Sequence, residues 1–318
     1  MKKCLVTGGA GFIGSNLVER LVGLSLKIKV LDNLSSGFLR NLEPFRENIE
    51  FIEGDVRDMA TLQQVMSEVE VVFHQAAVVS VPQSIEDPME TGMVNDLGTL
   101  YVLEAARHNG VRRVVFASSC AVYGDLPQVP KKEDMDTKPL SPYAASKLNG
   151  ETYARLYGDL YGLETVCLRY FNVYGPRQDP SSPYSGVISI FMDSATRGER
   201  PTIYGDGEQY RDFVYVADVV QANLLAAQRE SISGVTINVG TGKSVTINSL
   251  WKNIAELAGV QGEAKRADFR PGDIRQSVAE ISRARELLDY QPHYSLEEGL
   301  QFTWEWYRER IEHRAWRC

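Results

Sequence analysis

The sequence predicts an α/β fold, a doubly wound parallel sheet followed by a smaller α/β domain. Three observations support this prediction. Short β-branched runs alternate with helical patterns over the first half of the chain. A glycine-rich run separates the first of these strands from the first helix. Beyond Asn172 the alternation loosens, and proline, glycine and arginine become more frequent.

The predicted strands are continuous apolar segments, as in a parallel sheet with helices on both faces. They cover residues 4–6, 28–31, 50–52, 69–73, 113–116 and 165–169. Helices are predicted from about residue 12, at 143–161, and at 216–228, 247–258, 282–288 and 296–310. We therefore expect a cofactor-binding domain over residues 1–172, with a segment near 213–240 returning to it, and a substrate domain over 173–318.

Composition excludes several classes of protein. The net charge of -8 argues against nucleic acid or an anionic membrane surface as the main partner, because both reward clustered Lys and Arg. No apolar stretch approaches the roughly 20 residues that span a bilayer. The four cysteines form no Cys-x-x-Cys pair and have no nearby His, so we expect reduced thiols, no metal site and a cytoplasmic location.

The glycine-rich run contains Gly8, Gly11 and Gly14, which follow a short strand and open a helix. Glycine lets the backbone turn sharply and approach a pyrophosphate, while the helix N-terminus supplies unpaired N–H groups. This context predicts a Rossmann-type dinucleotide site. A glycine-rich turn without a ligand is the alternative.

Two carboxylates follow later strands and favour the same site. Asp32 ends the second strand about 20 residues on, where it can accept hydrogen bonds from ribose hydroxyls and repel a 2′-phosphate. NAD is therefore favoured over NADP. The alternative role of Asp32 is to cap its loop through Asn33 and Ser35. Asp55 and Val56, after the third strand, are expected to edge the adenine, with a plain strand-end turn as the alternative.

Tyr143 and Lys147 stand four residues apart in a predicted helix, so their side chains share one face. An ammonium beside a phenol stabilises the phenolate, which is a general base. Bringing a tyrosine from a pKa of about 10 to near 7 takes roughly 4 kcal/mol, which the lysine and a cationic nicotinamide are expected to supply. The alternative is a tyrosine stacked beside a solvated lysine.

Several motifs together resemble the extended short-chain dehydrogenase/reductases. They are Thr7-Gly8-x-x-Gly11-x-x-Gly14, Asp55, His74-Gln75-Ala76-Ala77, Asn95, Ser118-Ser119 followed by Val122-Tyr123-Gly124, and Tyr143-x-x-x-Lys147. Within that family, the segments at residues 168–176 and 204–213 are similar to those of nucleotide-sugar 4-epimerases. The resemblance covers nearly the whole chain.

The resemblance implies a role for each matching residue. Tyr143 takes the proton of the sugar C4 hydroxyl while hydride passes to NAD, Ser119 bonds the same oxygen, and Lys147 holds the nicotinamide ribose. Further NAD contacts are implied for Gly8, Gly11, Phe12, Ile13, Gly14, Asp32, Asn33, Ser35, Gly37, Asp55, Val56, Gln75, Ala76, Ala77, Asn95 and Tyr170. Substrate contacts are implied for Ser80, Ser118, Ser119, Tyr143, Asn172, Gln178, Val187, Tyr204, Arg211, Arg270, Asp273 and Ser277.

Arginine suits a diphosphate because its planar fork makes paired charge-assisted hydrogen bonds. Surface pairs are the alternatives: Arg211 with Asp212, and Arg270 with Asp268 or Asp273.

Departures from related patterns narrow the reaction. Cys120 and Ala121 stand where sugar-nucleotide 4,6-dehydratases carry an Asp-Glu pair, and decarboxylases also need a glutamate there. A thiol and a methyl group cannot replace them, so dehydration and decarboxylation are disfavoured. UDP-glucuronate 4-epimerases often carry Thr at the position of Asn172. The asparagine therefore weakens the interpretation as a UDP-glucuronate 4-epimerase without excluding it.

The residue matching the family's gatekeeper position is Ser277, whose small side chain leaves room for an acetamido group at C2. The run 175–180 and the segment 80–82 also resemble bacterial epimerases that prefer UDP-N-acetylhexosamines. A solvated loop residue is the alternative for Ser277. We expect NAD-dependent C4 epimerisation of UDP-N-acetylglucosamine, with some activity on plain hexoses, in supply of surface polysaccharide.

Three other interpretations stay open from the sequence. They are a UDP-glucose 4-epimerase, a uronic-acid variant, and a regulatory protein that binds NAD without turnover. The resemblance also implies a homodimer formed through helices near 95–109 and 143–161, although an apolar stripe serves equally well as core.

Overall fold

The computed structural model describes residues 1–180, 186–269 and 274–315, with side chains to residue 309. Its strands are short, and most of the longer ones lie in the first half of the chain. They are β1 (Lys3–Thr7), β2 (Lys27–Asp32), β3 (Ile49–Glu53), β4 (Val71–His74), β5 (Arg113–Ser119), β6 (Glu164–Tyr170), β7 (Asn172–Tyr174), β8 (Thr202–Tyr204), β9 (Tyr210–Arg211), β10 (Phe213–Tyr215), β11 (Val235–Val239), β12 (Val245–Thr246), β13 (Lys265–Ala267) and β14 (Gln276–Ser277).

Seven of these strands form one parallel sheet in the order β11-β6-β5-β4-β1-β2-β3. The order reverses between β1 and β4, so the carboxyl ends of these two strands flank the crevice where ligands bind in such sheets. Strands β4 and β5 are buried along their whole length, because helices cover both faces. The predicted doubly wound fold is confirmed.

The helices alternate with the sheet strands and then continue into the second half. They are α1 (Phe12–Val22), α2 (Met59–Val65), α3 (Val81–Glu86), α4 (Pro88–Thr91), α5 (Gly98–His108), α6 (Pro142–Tyr161), α7 (Val187–Thr196), α8 (Val216–Gln228), α9 (Ile247–Ala258), α10 (Ser282–Leu288) and α11 (Leu296–Ala315). Short 3-10 helices cover Leu39–Asn41, Glu43–Asn48 and Cys120–Tyr123, and a π-helix covers Gly92–Leu97.

The strands of the last third of the chain belong either to the large sheet or to small separate sheets. Strand β11 pairs with β6 at the edge of the large sheet. The other late strands form small sheets, β10-β7, β12-β9-β14 and β13-β8. A second apolar cluster, which includes Phe191, Leu250 and Trp251, lies among α7, α9 and these ribbons. The boundary between a cofactor part and a substrate part stays a prediction.

None of the helices in residues 1–180, 186–269 and 274–315 has both the length and the apolar composition that crossing a membrane requires.

Candidate active site at the carboxyl edge of the sheet

The three predicted catalytic residues come from two neighbouring elements. Ser119 ends β5, and α6 carries Tyr143 and Lys147 one turn apart. Ser141 begins this helix, because its hydroxyl accepts the Ala144 N–H. The Lys147 ammonium donates to the carbonyl oxygen of Ala117 at 2.8 Å and lies 5.9 Å from the centre of the Tyr143 ring. The structure therefore brings the three side chains together.

Burial dominates the protonation of this group. It raises the pKa of Tyr143 to about 12, while a hydrogen bond with Ser119 acts in the opposite direction. It lowers the pKa of Lys147 to about 8. The protein alone thus holds Tyr143 as a neutral phenol, and the expected shift towards 7 requires positive charge from a bound ligand.

The glycine-rich turn between β1 and α1 has room for backbone alone. Gly8 has a φ of +68°, and a Cβ there would lie 2.7 Å from the backbone nitrogen of Ala76. A Cβ on Gly14 would lie 2.1 Å from the Gly8 carbonyl oxygen. Gly11 begins α1 without a side-chain cap. The uncapped N–H groups of Phe12 and Ile13 fit a pyrophosphate, so this turn suits a dinucleotide.

Asp32 and its loop are held by hydrogen bonds at the end of β2. The Asp32 carboxylate accepts the backbone N–H groups of Ala10 and Leu34, both at 2.8 Å. The capping role is therefore present, with Leu34 as the partner, while Asn33 accepts the N–H of Ser35 at 3.1 Å. Burial raises the pKa of Asp32, and these two backbone bonds oppose the rise.

Gly37 lies against this same carboxylate. A Cβ there would come within 3.0 Å of the Asp32 Oδ1.

Asp55 is the second carboxylate at this edge of the sheet. It pairs with Arg57 at 2.8 Å and accepts from Asn33 at 2.8 Å. The hydrogen bond from Arg57 lowers the pKa of Asp55 to about 2. Val56 is buried against Gly98, where a Cβ would lie 2.8 Å from a Val56 methyl group.

A polar network crosses from β4 to β6. Gln75 donates to the Tyr170 hydroxyl and to Asn223, each at 3.1 Å, and Asn223 donates back to Tyr170 at 2.8 Å. Burial raises the pKa of Tyr170 to about 12. Asn223 was not predicted from the sequence. It is one of two amides in the middle of α8, together with Gln221, and nothing local distinguishes it.

Asn95 links the loop after β4 to α6, the helix that carries Tyr143. Its side chain bonds both the N–H and the carbonyl of Val78, at 2.8 and 3.0 Å, and donates to Ser146 at 3.0 Å. Ser146 in turn donates to the carbonyl oxygen of Tyr143 at 2.8 Å. Ala76 and Ala77 belong to the same loop, and Ser80 ends it as the N-cap of α3.

His74 is a buried imidazole under this loop. One ring nitrogen lies 2.8 Å from the Thr7 hydroxyl and the other 3.0 Å from the Thr99 hydroxyl. Burial lowers the pKa of His74 to about 3, and the charge of Lys147 adds to this effect. The ring is therefore neutral at physiological pH.

Ser118 has a different environment from Ser119. Its hydroxyl donates to the buried carboxylate of Glu151, which also pairs with Arg169 through bonds of 2.8 and 2.7 Å. All three side chains are buried. This network gives Ser118 a structural function, and a direct substrate contact for it stays a prediction.

The small ribbons carry several of the predicted substrate residues. Strand β14 pairs with β9, which places Ser277 opposite Arg211. Strand β7 pairs with β10, which places Asn172 opposite Phe213. The Asn172 Oδ1 is buried and has no hydrogen-bond partner among the described residues. Asn172, Arg211 and Ser277 are therefore brought together, as a substrate site requires.

Ser277 is only 7 % exposed, so the alternative of a solvated loop residue is wrong. Its hydroxyl bonds the thiol of Cys120. Burial raises the pKa of that thiol to about 11, so the thiol stays protonated.

The remaining predicted substrate residues lie around this ribbon. The side-chain amide of Gln178 donates to the Val173 carbonyl at 3.3 Å, and the backbone carbonyl of Gln178 accepts from the Tyr307 hydroxyl at 2.8 Å. Val187 begins α7, and Tyr204 ends β8. Arg270 and Asp273 lie outside the described residues.

The alternative of a surface ion pair between Arg211 and Asp212 is wrong, because Asp212 does not lie at the surface. Asp212 is fully buried and accepts hydrogen bonds from other groups.

Comparison with known proteins gives one family over most of the chain. Residues 4–240 match the family described as "NAD dependent epimerase/dehydratase family". The UDP-glucose 4-epimerase of Mycolicibacterium smegmatis is 42% identical over 315 residues, which cover 98% of this chain and 100% of the relative.

Two solved structures are similar along almost their whole length. The UDP-N-acetylglucosamine 4-epimerase from Methanobrevibacter ruminantium M1, in complex with UDP-N-acetylmuramic acid, is 42% identical with a TM-score of 0.93. The UDP-glucose 4-epimerase of Thermotoga maritima with UDP-glucose is 40% identical, also with a TM-score of 0.93. In both cases the match covers 97% of this chain and 99% of the other.

Proposed function

The chain belongs to the NAD dependent epimerase/dehydratase family, and on that premise we propose that it interconverts UDP-N-acetylglucosamine and UDP-N-acetylgalactosamine. The coarser activity follows from the relatives: the protein is an NAD-dependent isomerase that acts on C4 of UDP-sugars. The preference for the acetylated sugar is the proposal.

The observation that carries this preference is the burial of Ser277. A hydroxymethyl side chain at this position, opposite Arg211 on the neighbouring strand, takes up less room beside the proposed sugar site than a larger side chain would. The similarity to an epimerase of UDP-N-acetylglucosamine supports the same preference.

The reaction that we propose uses the three clustered side chains. The glycine-rich turn and Asp32 would hold NAD, which when bound would supply reversible hydride transfer at C4 of the sugar. Tyr143 removes the proton of the C4 hydroxyl, and Ser119, which is already bonded to Tyr143, holds the same oxygen. Lys147 keeps the phenol oriented and contributes positive charge. The keto sugar turns over before Tyr143 returns the proton.

The cofactor contacts proposed from the sequence fit the carboxyl edge of the sheet. The turn from Gly8 to Gly14 receives the pyrophosphate, and Asp32 receives the adenosine ribose next to the backbone that it caps. Tyr170 and Gln75 form a polar wall on the β6 side. For the substrate, Arg211 is proposed to hold the diphosphate, and Asn172 offers its unpartnered oxygen.

The test is to incubate the purified protein separately with UDP-N-acetylglucosamine, UDP-glucose and UDP-glucuronate, without added NAD. Proton NMR then follows the appearance of each C4 epimer. We expect fast conversion of the acetylated sugar and slower conversion of UDP-glucose, because NAD stays bound between turnovers. Conversion of UDP-glucose alone would contradict the proposed preference.

A UDP-glucose 4-epimerase is the second candidate. It is favoured by the similarity to the enzymes of that activity from M. smegmatis and T. maritima. The same NMR comparison separates the two candidates, because the ratio of the two rates is measured with one protein preparation.

We also propose a homodimer formed through α5 and α6. Its support is apolar surface on α6: Leu160 is 66% exposed and Tyr161 is 53% exposed. Light scattering during size-exclusion chromatography gives the mass, and Leu160→Glu is expected to shift it towards the monomer.

A further inference from the structure

The carboxylate of Asp212 is a buried junction of four hydrogen bonds. Its Oδ1 accepts the N–H and the hydroxyl of Thr241 at 2.8 and 2.7 Å. Its Oδ2 accepts the N–H groups of Gly242 and Ala279 at 2.9 and 3.1 Å. The side chain therefore joins the loop after β11 to the segment after β14.

The backbone of Asp212 extends this junction to two predicted substrate residues. Its carbonyl accepts the N–H of Asn172 at 3.0 Å, and its N–H donates to the carbonyl of Ser277 at 2.8 Å. Arg211 precedes it directly. One residue thus connects the three positions that we assign to the UDP-sugar, although Asp212 itself is 0% exposed.

The close packing around this carboxylate is visible at Gly240. A Cβ there would lie 2.7 Å from the Asp212 Oδ2 and 2.7 Å from the Ala279 methyl group. Contacts this short would force the Asp212 carboxylate, the Ala279 methyl group or the loop itself to shift. Glycine at this position is therefore needed for the loop after β11 to reach the carboxylate.

We propose that Asp212 is a positioning residue for the UDP-sugar, holding Asn172, Arg211 and Ser277 in fixed places relative to one another. The inference rests on the proposed function for the identity of the ligand. Four donors satisfy both carboxylate oxygens, so the junction is rigid. A rigid support lowers the cost of ordering the groups that bind the ligand.

Asp218 provides a matched control within the same chain. It is also buried, at 1% exposure, and accepts two backbone N–H groups, those of His293 and Tyr294, at 2.9 and 3.3 Å. It holds the segment before α11 and has no bond to the substrate ribbon among the described residues. Loss of either carboxylate is expected to destabilise the fold, but only Asp212 is expected to affect the substrate.

The experiment compares Asp212→Asn with Asp218→Asn. For each variant we would measure the melting temperature, the NAD retained after gel filtration, KM and kcat, and the Kd of UDP by calorimetry. For Asp212→Asn we expect KM and the UDP Kd to rise by about tenfold, with NAD retained and kcat changed less than KM. For Asp218→Asn we expect a similar loss of melting temperature with KM nearly unchanged.

A second variant covers the case in which Asp212→Asn does not fold. Gly240→Ala presses a methyl group against the same carboxylate without changing its charge, and it should raise the UDP Kd in the same direction. Equal KM values for the two aspartate variants, or an unchanged UDP Kd in Gly240→Ala, would overturn the inference.

The experiment also separates this inference from the proposed function. If the wild-type protein binds UDP but epimerises no sugar, the proposed function is wrong. The UDP titrations of the variants would then still test whether Asp212 positions the ligand-binding residues. Wild-type protein that binds no UDP would overturn both.

Discussion

The ammonium of Lys147 lies 5.9 Å from the centre of the Tyr143 ring and is anchored to the carbonyl oxygen of Ala117 at 2.8 Å. Burial moves their two pKa values apart, with Tyr143 raised to about 12 and Lys147 lowered to about 8. At neutral pH the pair therefore carries one positive charge beside a neutral phenol. A neutral phenol cannot accept a proton, so Tyr143 becomes a general base only when positive charge from a bound ligand lowers its pKa.

Replacement of Tyr143 by phenylalanine is expected to reduce kcat by about 10²- to 10⁴-fold, because the phenol that carries the proton is removed. NAD retention and the melting temperature should change little, since the ring stays. Tyr153→Phe, the same change on the same helix, serves as the control and should keep its activity. Activity preserved in Tyr143→Phe would contradict the assignment of the proton carrier.

His74 predicts how stability depends on pH. Its pKa is about 3 in the folded protein and about 6.5 when unfolded, so the unfolded chain binds more protons between these values. Stability should therefore fall as the pH falls below about 6.5. From pH 7 to pH 5 the contribution is about 2 kcal/mol.

The measurement is urea unfolding of wild type and His74→Gln at pH 7 and pH 5. Glutamine keeps groups that can bond Thr7 and Thr99 but does not titrate. The variant should lose less stability than wild type over this interval, and the comparison removes the contributions of the carboxylates. Equal losses would show that His74 is not the group that responds.

Four helices of the second half, α8 to α11, could be predicted from the sequence because their ends are local, whereas α7 was not predicted. The prediction of α9 at residues 247–258 has the bounds that the structure gives. Thr246 caps its start by accepting the Ser249 N–H, and Gly259 ends it in the left-handed conformation. Such signals lie within a few residues of the helix and need no knowledge of the fold.

The small ribbons and the buried polar networks could not be predicted in the same way. Strands β9 and β14 have two residues each, so their pairing depends on segments that are distant in sequence. The sequence offers Asp212 only as an alternative surface partner for Arg211, because nothing local shows that residues 241, 242 and 279 donate to it. The burial of Ser277 follows from this same pairing.

Ser118→Ala tests whether the first of the two serines is structural. The change removes the donor to the buried Glu151 and should cost about 2 kcal/mol of unfolding free energy, with KM unchanged. Thr165→Val is the control, since Thr165 donates to the neutral carbonyl of Ala154, and its loss should be smaller. A large rise in KM for Ser118→Ala would restore a direct substrate contact.

Ser277→Tyr tests the proposed preference for the acetylated sugar. The phenol is much larger than the hydroxymethyl group that it replaces beside Arg211, so kcat/KM for UDP-N-acetylglucosamine should fall by about 10- to 100-fold. The value for UDP-glucose should change much less, because a hydroxyl at C2 needs less space than an acetamido group. Both are measured by NMR on the same preparation.

Ser277→Ala is the matched control for this prediction, because it removes the bond to the Cys120 thiol but keeps the side chain small. It should leave the ratio of the two kcat/KM values close to that of wild type. If alanine and tyrosine change the ratio equally, the hydroxyl of Ser277 sets the preference and its size does not. If Ser277→Tyr lowers kcat/KM for both UDP-sugars by the same factor, Ser277 supports the ribbon without facing the C2 substituent.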